Sequence, residues 1–161
     1  MTDLRVPFID TLIELAEKDR TIVLIVPDVG FKHADRFQER FPDRYFNFGV
    51  TEQSTMIAAA GMALAGMKPY VYSMINFVVF RPFEMVRNAI GYHNANVKLI
   101  GVSGSAAYKF LGFSHNMVEN EDIDTLLHVP NLSKFVPETE EEVRMIIRHT
   151  HKTQGPAYIR L

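Results

Sequence analysis

The chain has 161 residues, 47% hydrophobic and 22% charged, a length suited to one domain spanning 1–161 with a full core. Its 17 Lys+Arg and 19 Asp+Glu leave a net charge of −2, which gives no electrostatic footprint for nucleic acid or an anionic membrane. With no cysteine there are no disulfides, thiolate zinc sites or cysteine nucleophiles, and the longest apolar-or-glycine run, Met56–Met67, is too short to span a bilayer. No apolar segment follows Asp3 and Arg5 as a secretory signal would require, so a cytoplasmic setting is expected.

Two periodicities alternate along the chain. Pro7–Lys18 reads as a helix, with Phe8, Leu12, Leu15 and Ala16 at helical spacing. Thr21–Val26 is a continuous β-branched and leucine run, the pattern of a strand buried on both faces. A short helix is expected at Ala34–Phe41, a strand at Arg44–Phe48, and a helix at Thr51–Ala65 with Thr51 as its N-cap. Pro69–Met74 follows as a strand, Phe80–Asn94 as an amphipathic helix and Val97–Ser103 as an apolar strand. After a loop from Gly104 to about Asn116, the spacing predicts a helix at Glu121–His128 and a strand at Leu132–Val136. A helix at Glu138–His151 and a strand at Ala157–Leu161 complete the series. Strands alternating with helices imply right-handed crossovers, a mostly parallel sheet and an α/β, three-layer α/β/α sandwich. Ligands of such sheets bind beyond the carboxyl ends of the strands, here the loops 28–32, 49–52, 73–80 and 104–115.

Within those loops, Gly101–Ser105 has the strand-then-small-residue look of a serine nucleophile elbow, but Ser105 stands where the elbow needs glycine. A small-residue turn after a buried strand accounts for it better. No dinucleotide fingerprint or phosphate-binding loop is present. The six histidines lack metal-ligand spacing, so no metal site is expected, and His115 stands out only by its place in a ligand loop. Glu52 opens a helix, where a carboxylate complements the macrodipole. The helix it opens holds Ala58, Ala59, Ala60, Gly61, Ala63, Ala65 and Gly66, small residues that suit either tight packing on the sheet or a subunit interface.

The run Asp43-Arg44-Tyr45-Phe46-Asn47-Phe48-Gly49-Val50-Thr51-Glu52-Gln53, followed by Ala59-Ala60-Gly61 and Pro69-Tyr70-Val71, resembles the signature of the pyrimidine-binding domain of transketolase-like, thiamine diphosphate-dependent enzymes. Further matches continue in order through Phe77, Arg81, Val86–Asn88, Asn96–Gly101, Leu111–His115, Glu121–Ile123, Pro130–Leu132, Val136–Pro137 and Gly155–Leu161, so the likeness covers nearly the whole chain. It is nearest to the smaller subunit of split, two-subunit transketolases. The resemblance implies the thiamine diphosphate-binding fold of pyrimidine type. It gives Glu52 the task of hydrogen-bonding the cofactor's pyrimidine nitrogen, so that the neighbouring exocyclic nitrogen takes the proton from the thiazolium carbon. It places Met74, Phe77 and Phe80 around the pyrimidine ring, His115 near the reacting carbon, and Arg5 at a substrate phosphate.

Departures from the family pattern qualify the substrate. Leu111 stands where transketolases carry an acid for a substrate hydroxyl, Val136 stands where they carry a second phosphate-binding arginine, and the spacing from His115 to Glu121 is about two residues longer. These 161 residues contain neither a Gly-Asp-Gly magnesium–diphosphate motif nor a third transketolase domain. The resemblance therefore implies a larger partner subunit that binds Mg2+ and diphosphate, a homodimer core within a heterotetramer, and a sugar or ketose substrate. Two-carbon ketol transfer is the expected reaction. A decarboxylating β-type component (1-deoxyxylulose-phosphate-synthase-like or 2-oxoacid-dehydrogenase-like) and a non-catalytic ligand-binding remnant are the alternatives.

Overall fold

The computed structural model describes residues 3–29, 32–103 and 106–161, without the side chains of 106–109. Gly30 and Phe31, and Gly104 and Ser105 of the serine-containing turn, lie outside the described residues. The elements are α1 (Arg5–Ala16), β1 (Ile22–Val26), α2 (Asp35–Arg40), β2 (Tyr45–Asn47), α3 (Glu52–Leu64), β3 (Lys68–Met74), α4 (Phe83–Met85), β4 (Lys98–Val102), α5 (Glu121–Thr125), β5 (Ser133–Phe135), α6 (Glu140–Lys152) and β6 (Ala157–Arg160). They form one six-stranded sheet, ordered β2-β1-β3-β4-β6-β5, in which every neighbouring pair is parallel. The expected α/β sandwich is what the chain forms.

Strand β1 shows how the layers assemble. All five of its residues are buried, and alternation sends Ile22, Leu24 and Val26 to one face and Val23 and Ile25 to the other. On the first face they meet Phe8 and Leu12 of α1, Phe37 of α2, and Val143 and Ile147 of α6. On the second they meet Met56, Ala59 and Ala60 of α3, with Val78, Val79, Val86 and Ile90 from the segment after β3. The small residues of α3 thus bring it close to the sheet, while Ile57 and Leu64 point outward at 53% and 64% exposure.

Three local expectations are corrected. The helix expected over Phe80–Asn94 begins earlier and is broken: Asn76–Phe80 is π-helical, α4 is a single turn, and Val86–Tyr92 is again π-helical. Pro82 is the cause, since it has no N–H to continue a helical ladder, and the Arg81 N–H reaches back to the Asn76 carbonyl, five residues earlier. The segment after β4 holds 3-10 turns at Ala106–Ser114 in place of an open loop. Thr51 is the N-cap residue of α3 as expected but makes no side-chain capping bond, because its hydroxyl donates to the Phe48 carbonyl at 2.8 Å, whereas Thr139 caps α6 by accepting from the Glu142 N–H. In addition, α5 ends at Thr125, short of the expected His128.

Beneath the sheet, at the amino end of β4, Lys98 is 1% exposed and its ammonium donates to Asn96 Oδ1, the Gly155 carbonyl and the Thr153 carbonyl. Burial, helped by the charge of Lys68, pushes Lys98 down to about 8 from its ordinary 10.5. Across that interval the unfolded chain holds more protons than the folded one, so stability rises with pH, by up to about 3 kcal/mol. Burial also raises the Tyr70 and Tyr158 phenols, the latter further through its bond to Asp122. Once unfolded tyrosines ionise near their ordinary 10.0, stability falls again. Urea midpoints measured from pH 7 to 11 should therefore peak near 10, and Lys98→Met should abolish the rise while keeping the fall.

Candidate functional site

The chain adds β2 on one side of β1 and β3 on the other, and this reversal opens a crevice beyond the carboxyl ends of the strands. The crevice is a cavity of about 460 Å³ whose lining includes Arg5, Glu52, Ser73, Met74, Phe77, Arg81 and His115. Among the described residues, five separate segments contribute to it: the start of α1, the loop after β1, the start of α3, the end of β3 with the π-helical segment that follows, and the end of β4 with the segment beyond it.

Glu52 reaches the cleft because the turn before it is rigidly built. Asn47 Oδ1 accepts from the Asp28 and Gly49 backbone N–H groups at 3.1 and 2.9 Å, tying the loops after β1 and β2 together. Gly49 turns the chain at φ 70°, a conformation that favours glycine, and Glu52 follows as the first residue of α3. Glu52 is 7% exposed, and a carboxylate so buried needs a charged or hydrogen-bonding partner. Arg81 supplies it: Nη1 donates to Glu52 Oε1 at 2.7 Å, while the guanidinium carbon lies 4.3 Å from the centre of the Phe77 ring. Among the described residues, Oε2 of Glu52 has no hydrogen-bond partner.

Phe77 also meets His115, edge to face, with ring centres 5.2 Å apart. The hydroxyl of Ser114 donates to the Leu111 carbonyl at 2.7 Å, so its oxygen accepts from His115 Nδ1 at 2.7 Å. That accounting puts a ring proton of His115 on Nδ1. Gly112 precedes the turn at φ 56° and ψ −148°, a region essentially confined to glycine. Nothing would obstruct a Cβ there, so the barrier to Gly112→Ala is backbone conformation alone. The variant should stay folded, with a cost of about 1–3 kcal/mol absorbed by rearrangement of residues 111–116. Loss of the Phe77–His115 ring contact by NMR, with core methyl signals unchanged, is the expected result.

At the other end of the cleft, Asp3 grips the fork of Arg5: Nε donates to Oδ1 and Nη2 to Oδ2, each at 2.7 Å. The Arg5 hydrogen bond, set against partial burial, holds the Asp3 carboxyl below the usual range. His33 Nε2 stands 3.5 Å from Asp3 Oδ2, and burial followed by the Arg5 charge pushes the imidazole down.

Of the residues singled out from sequence, Arg5, Glu52, Met74, Phe77 and His115 share one cleft. Phe80 is partly buried and packs against the core cluster containing Val78 and Val79 instead of lining it. Leu111 and Val136 are also outside the lining, and Val136 is 42% exposed. Sequence reasoning missed the pairing of Arg81 with Glu52, the bonds of Asn76 to the Phe113 and Asn116 carbonyls, and Ser73, a cleft residue whose buried Oγ has no partner among the described residues. Unlike charges in segments flanking one strand, β3, on the carboxyl side of the sheet were the available signal for Arg81; Asn76 and Ser73 had none.

The family model described as transketolase, pyrimidine binding domain, matches residues 2–161. Among curated relatives, a subunit of an apulose-4-phosphate transketolase from Phocaeicola vulgatus is 32% identical over 98% of this chain and 50% of its own length. A 1-deoxy-D-xylulose-5-phosphate synthase from Macrococcus caseolyticus is 34% identical, matched over 95% of this chain but 24% of its own. Among solved structures, one described as a split gene transketolase, inactive β4 tetramer, superposes with a TM-score of 0.86 at 32% identity, covering 98% of this chain and 50% of that one. A Pichia stipitis transketolase at 18% identity and TM-score 0.82, matched over 99% of this chain and 25% of its own, shares the fold. The chain thus spans about half the length of the apulose-4-phosphate transketolase subunit and of the split-gene structure.

Proposed function

The chain belongs to the transketolase pyrimidine-binding domain family, and from that premise we propose that its 161 residues act as one pyrimidine-binding unit of a two-component, thiamine diphosphate-dependent transketolase-like enzyme. The observation that carries this reading is the buried Glu52 carboxylate in the same cleft as Met74, Phe77 and His115. The cleft suits the aminopyrimidine ring: a carboxylate for a ring nitrogen, an aromatic face, a thioether wall, and the unpartnered Ser73 hydroxyl for an amino group.

When bound, thiamine diphosphate supplies the electron sink for breaking a carbon–carbon bond beside a carbonyl. Glu52 holds and exchanges a proton with the ring nitrogen through Oε2, while Arg81 fixes Oε1 and hence the carboxylate plane. Phe77 and Met74 exclude water from one side of the ring. His115 holds its ring edge to face with Phe77, oriented by Ser114 at Nδ1, and is placed to move a substrate hydroxyl proton. Arg5, though engaged by Asp3, binds the far end of a sugar or ketose. Phe80 lies just behind the cleft lining, packed against the core cluster of Val78 and Val79, and holds the segment that carries Phe77 against the sheet.

The diphosphate and its Mg2+ are assigned to a larger partner subunit, because these residues include no magnesium–diphosphate motif. Self-association is assigned to the outward stripe of α3, where Ile57 and Leu64 are exposed, giving a dimer core within a heterotetramer. A cysteine-free chain needs no oxidising compartment, so the proposed setting is the cytoplasm. The likeness to the apulose-4-phosphate transketolase subunit favours ketol transfer over decarboxylation. Calorimetry and a substrate panel test the proposal together. The chain mixed with its partner should bind thiamine diphosphate with Mg2+ and consume a ketose only when an aldose is present. Carbon dioxide release from pyruvate would overturn ketol transfer, and full activity without a partner would overturn the two-component reading.

A further inference from the structure

Asn76 sits between Met74 and Phe77, in the first turn of the π-helical segment, and is 7% exposed. Its amide nitrogen donates to the Phe113 carbonyl at 2.9 Å and to the Asn116 carbonyl at 3.0 Å. Both partners are backbone oxygens, which only accept, so the amide must present its NH2 group, and its two protons are each spent. The two carbonyls flank Ser114 and His115, so one buried side chain spans both sides of the residue placed at the reacting end of the cleft. The turn is also braced from within itself, by Ser114 to Leu111, Asn116 Nδ2 to Gly112, and the His115 N–H to Gly112. Those internal bonds set the shape of the turn but do not fix it against the Phe77 wall.

We propose that Asn76 is the positioning residue that docks the His115 turn onto the pyrimidine-facing wall, coupling the placement of the histidine to that of Phe77. The proposal rests on the functional reading of His115 given above. The π-helical register matters here: a π-turn adds a residue, letting Asn76 point toward the turn while Phe77 faces the cleft. Removing the amide takes from the Phe113 and Asn116 carbonyls the donors that tie the turn to the start of the π-helical segment. Replacing it with a carboxylate of the same shape is worse, since it sets oxygen against oxygen and expels the turn.

The test uses Asn76→Asp and Asn76→Ala in the labelled full chain and in the reconstituted complex. In the chain alone, His115 ring protons should lose the ring-current shift and the cross-peaks that report the edge contact with Phe77, and amide exchange at His115 should accelerate at least tenfold. Core methyl signals should not move. In the complex, kcat should fall at least tenfold for both variants with a smaller change in the KM for cofactor. Should Asn76→Asp fail to fold, Asn76→Ser, which keeps one donor in less volume, is read in the same way and should show an intermediate loss. Unchanged His115 signals in a folded variant would overturn the proposal, as would equal loss of order throughout the chain. His115→Ala, measured alongside, separates the two ideas: if it keeps full turnover while Asn76→Asp frees the turn, the docking stands and the functional reading of His115 fails.

Discussion

Glu52→Gln in the reconstituted enzyme is expected to cut turnover by on the order of 10²-fold or more, the scale of a positioned proton-transfer group. The substitution keeps the volume and leaves an amide oxygen to accept from Arg81 Nη1, so the geometry around Oε1 survives. What it removes is the ability of the second oxygen to hold and exchange a proton. Stability should move little. The helix-start contribution is about 0.3–1 kcal/mol, and the half-exposed Arg81 makes its ion pair worth at most about 1 kcal/mol after solvent screening. Cofactor affinity should change less than turnover if, as proposed, the diphosphate is held by a partner subunit. If Glu52 served only to start α3, the variant would lose a fraction of a kcal/mol and keep nearly normal turnover. Measuring turnover and melting temperature on one preparation separates these outcomes.

The largest stability effect should come from Asp122. Its side chain is fully buried, accepts from the Tyr158 hydroxyl at 2.5 Å and from Arg160 Nη1 at 2.9 Å, and fastens α5 to β6. Asp122→Ala leaves the Tyr158 hydroxyl without its acceptor and the Arg160 charge without its counter-ion, with only the neutral Asn120 Oδ1 still accepting from Nη2. Breaking such a pair from one side costs about 3–5 kcal/mol, or roughly 6–20 °C in melting temperature for a chain of this size. Tyr158→Phe removes one hydrogen bond and leaves the ion pair, so it should cost about 1.5–3 kcal/mol. A thermal melt in which Asp122→Ala falls no further than Tyr158→Phe would contradict the assignment.

Sequence showed the parallel sheet because β1 and β4 are apolar on both faces, a pattern that only a strand covered by two helical layers can satisfy. Glu52 was legible because a strand, a glycine turn and a helix start fix its position locally. The segment after β3 was not. An α-helix and a π-helix differ by one residue per turn, and the apolar stripe Phe77, Val78, Val79 and Phe80 fits either register. For the same reason, Phe80 could not be told from a cleft residue, and only packing sends it against the core cluster. Asn76 and Arg81 act across 40 and 29 positions of chain, through contacts that no local period encodes. The short α5 was over-read because Leu126 is an apolar core residue just past its last turn, extending the helical period beyond the helix.

The central claim, that Glu52 activates thiamine diphosphate in this cleft, is tested most directly by exchange of the cofactor's C2 proton with solvent deuterium, followed by quenched-flow NMR in the reconstituted complex. Wild type should exchange that proton far faster than free cofactor, and Glu52→Gln should slow exchange by on the order of 10²-fold at saturating cofactor. Equal exchange rates in wild type and Glu52→Gln would contradict the account.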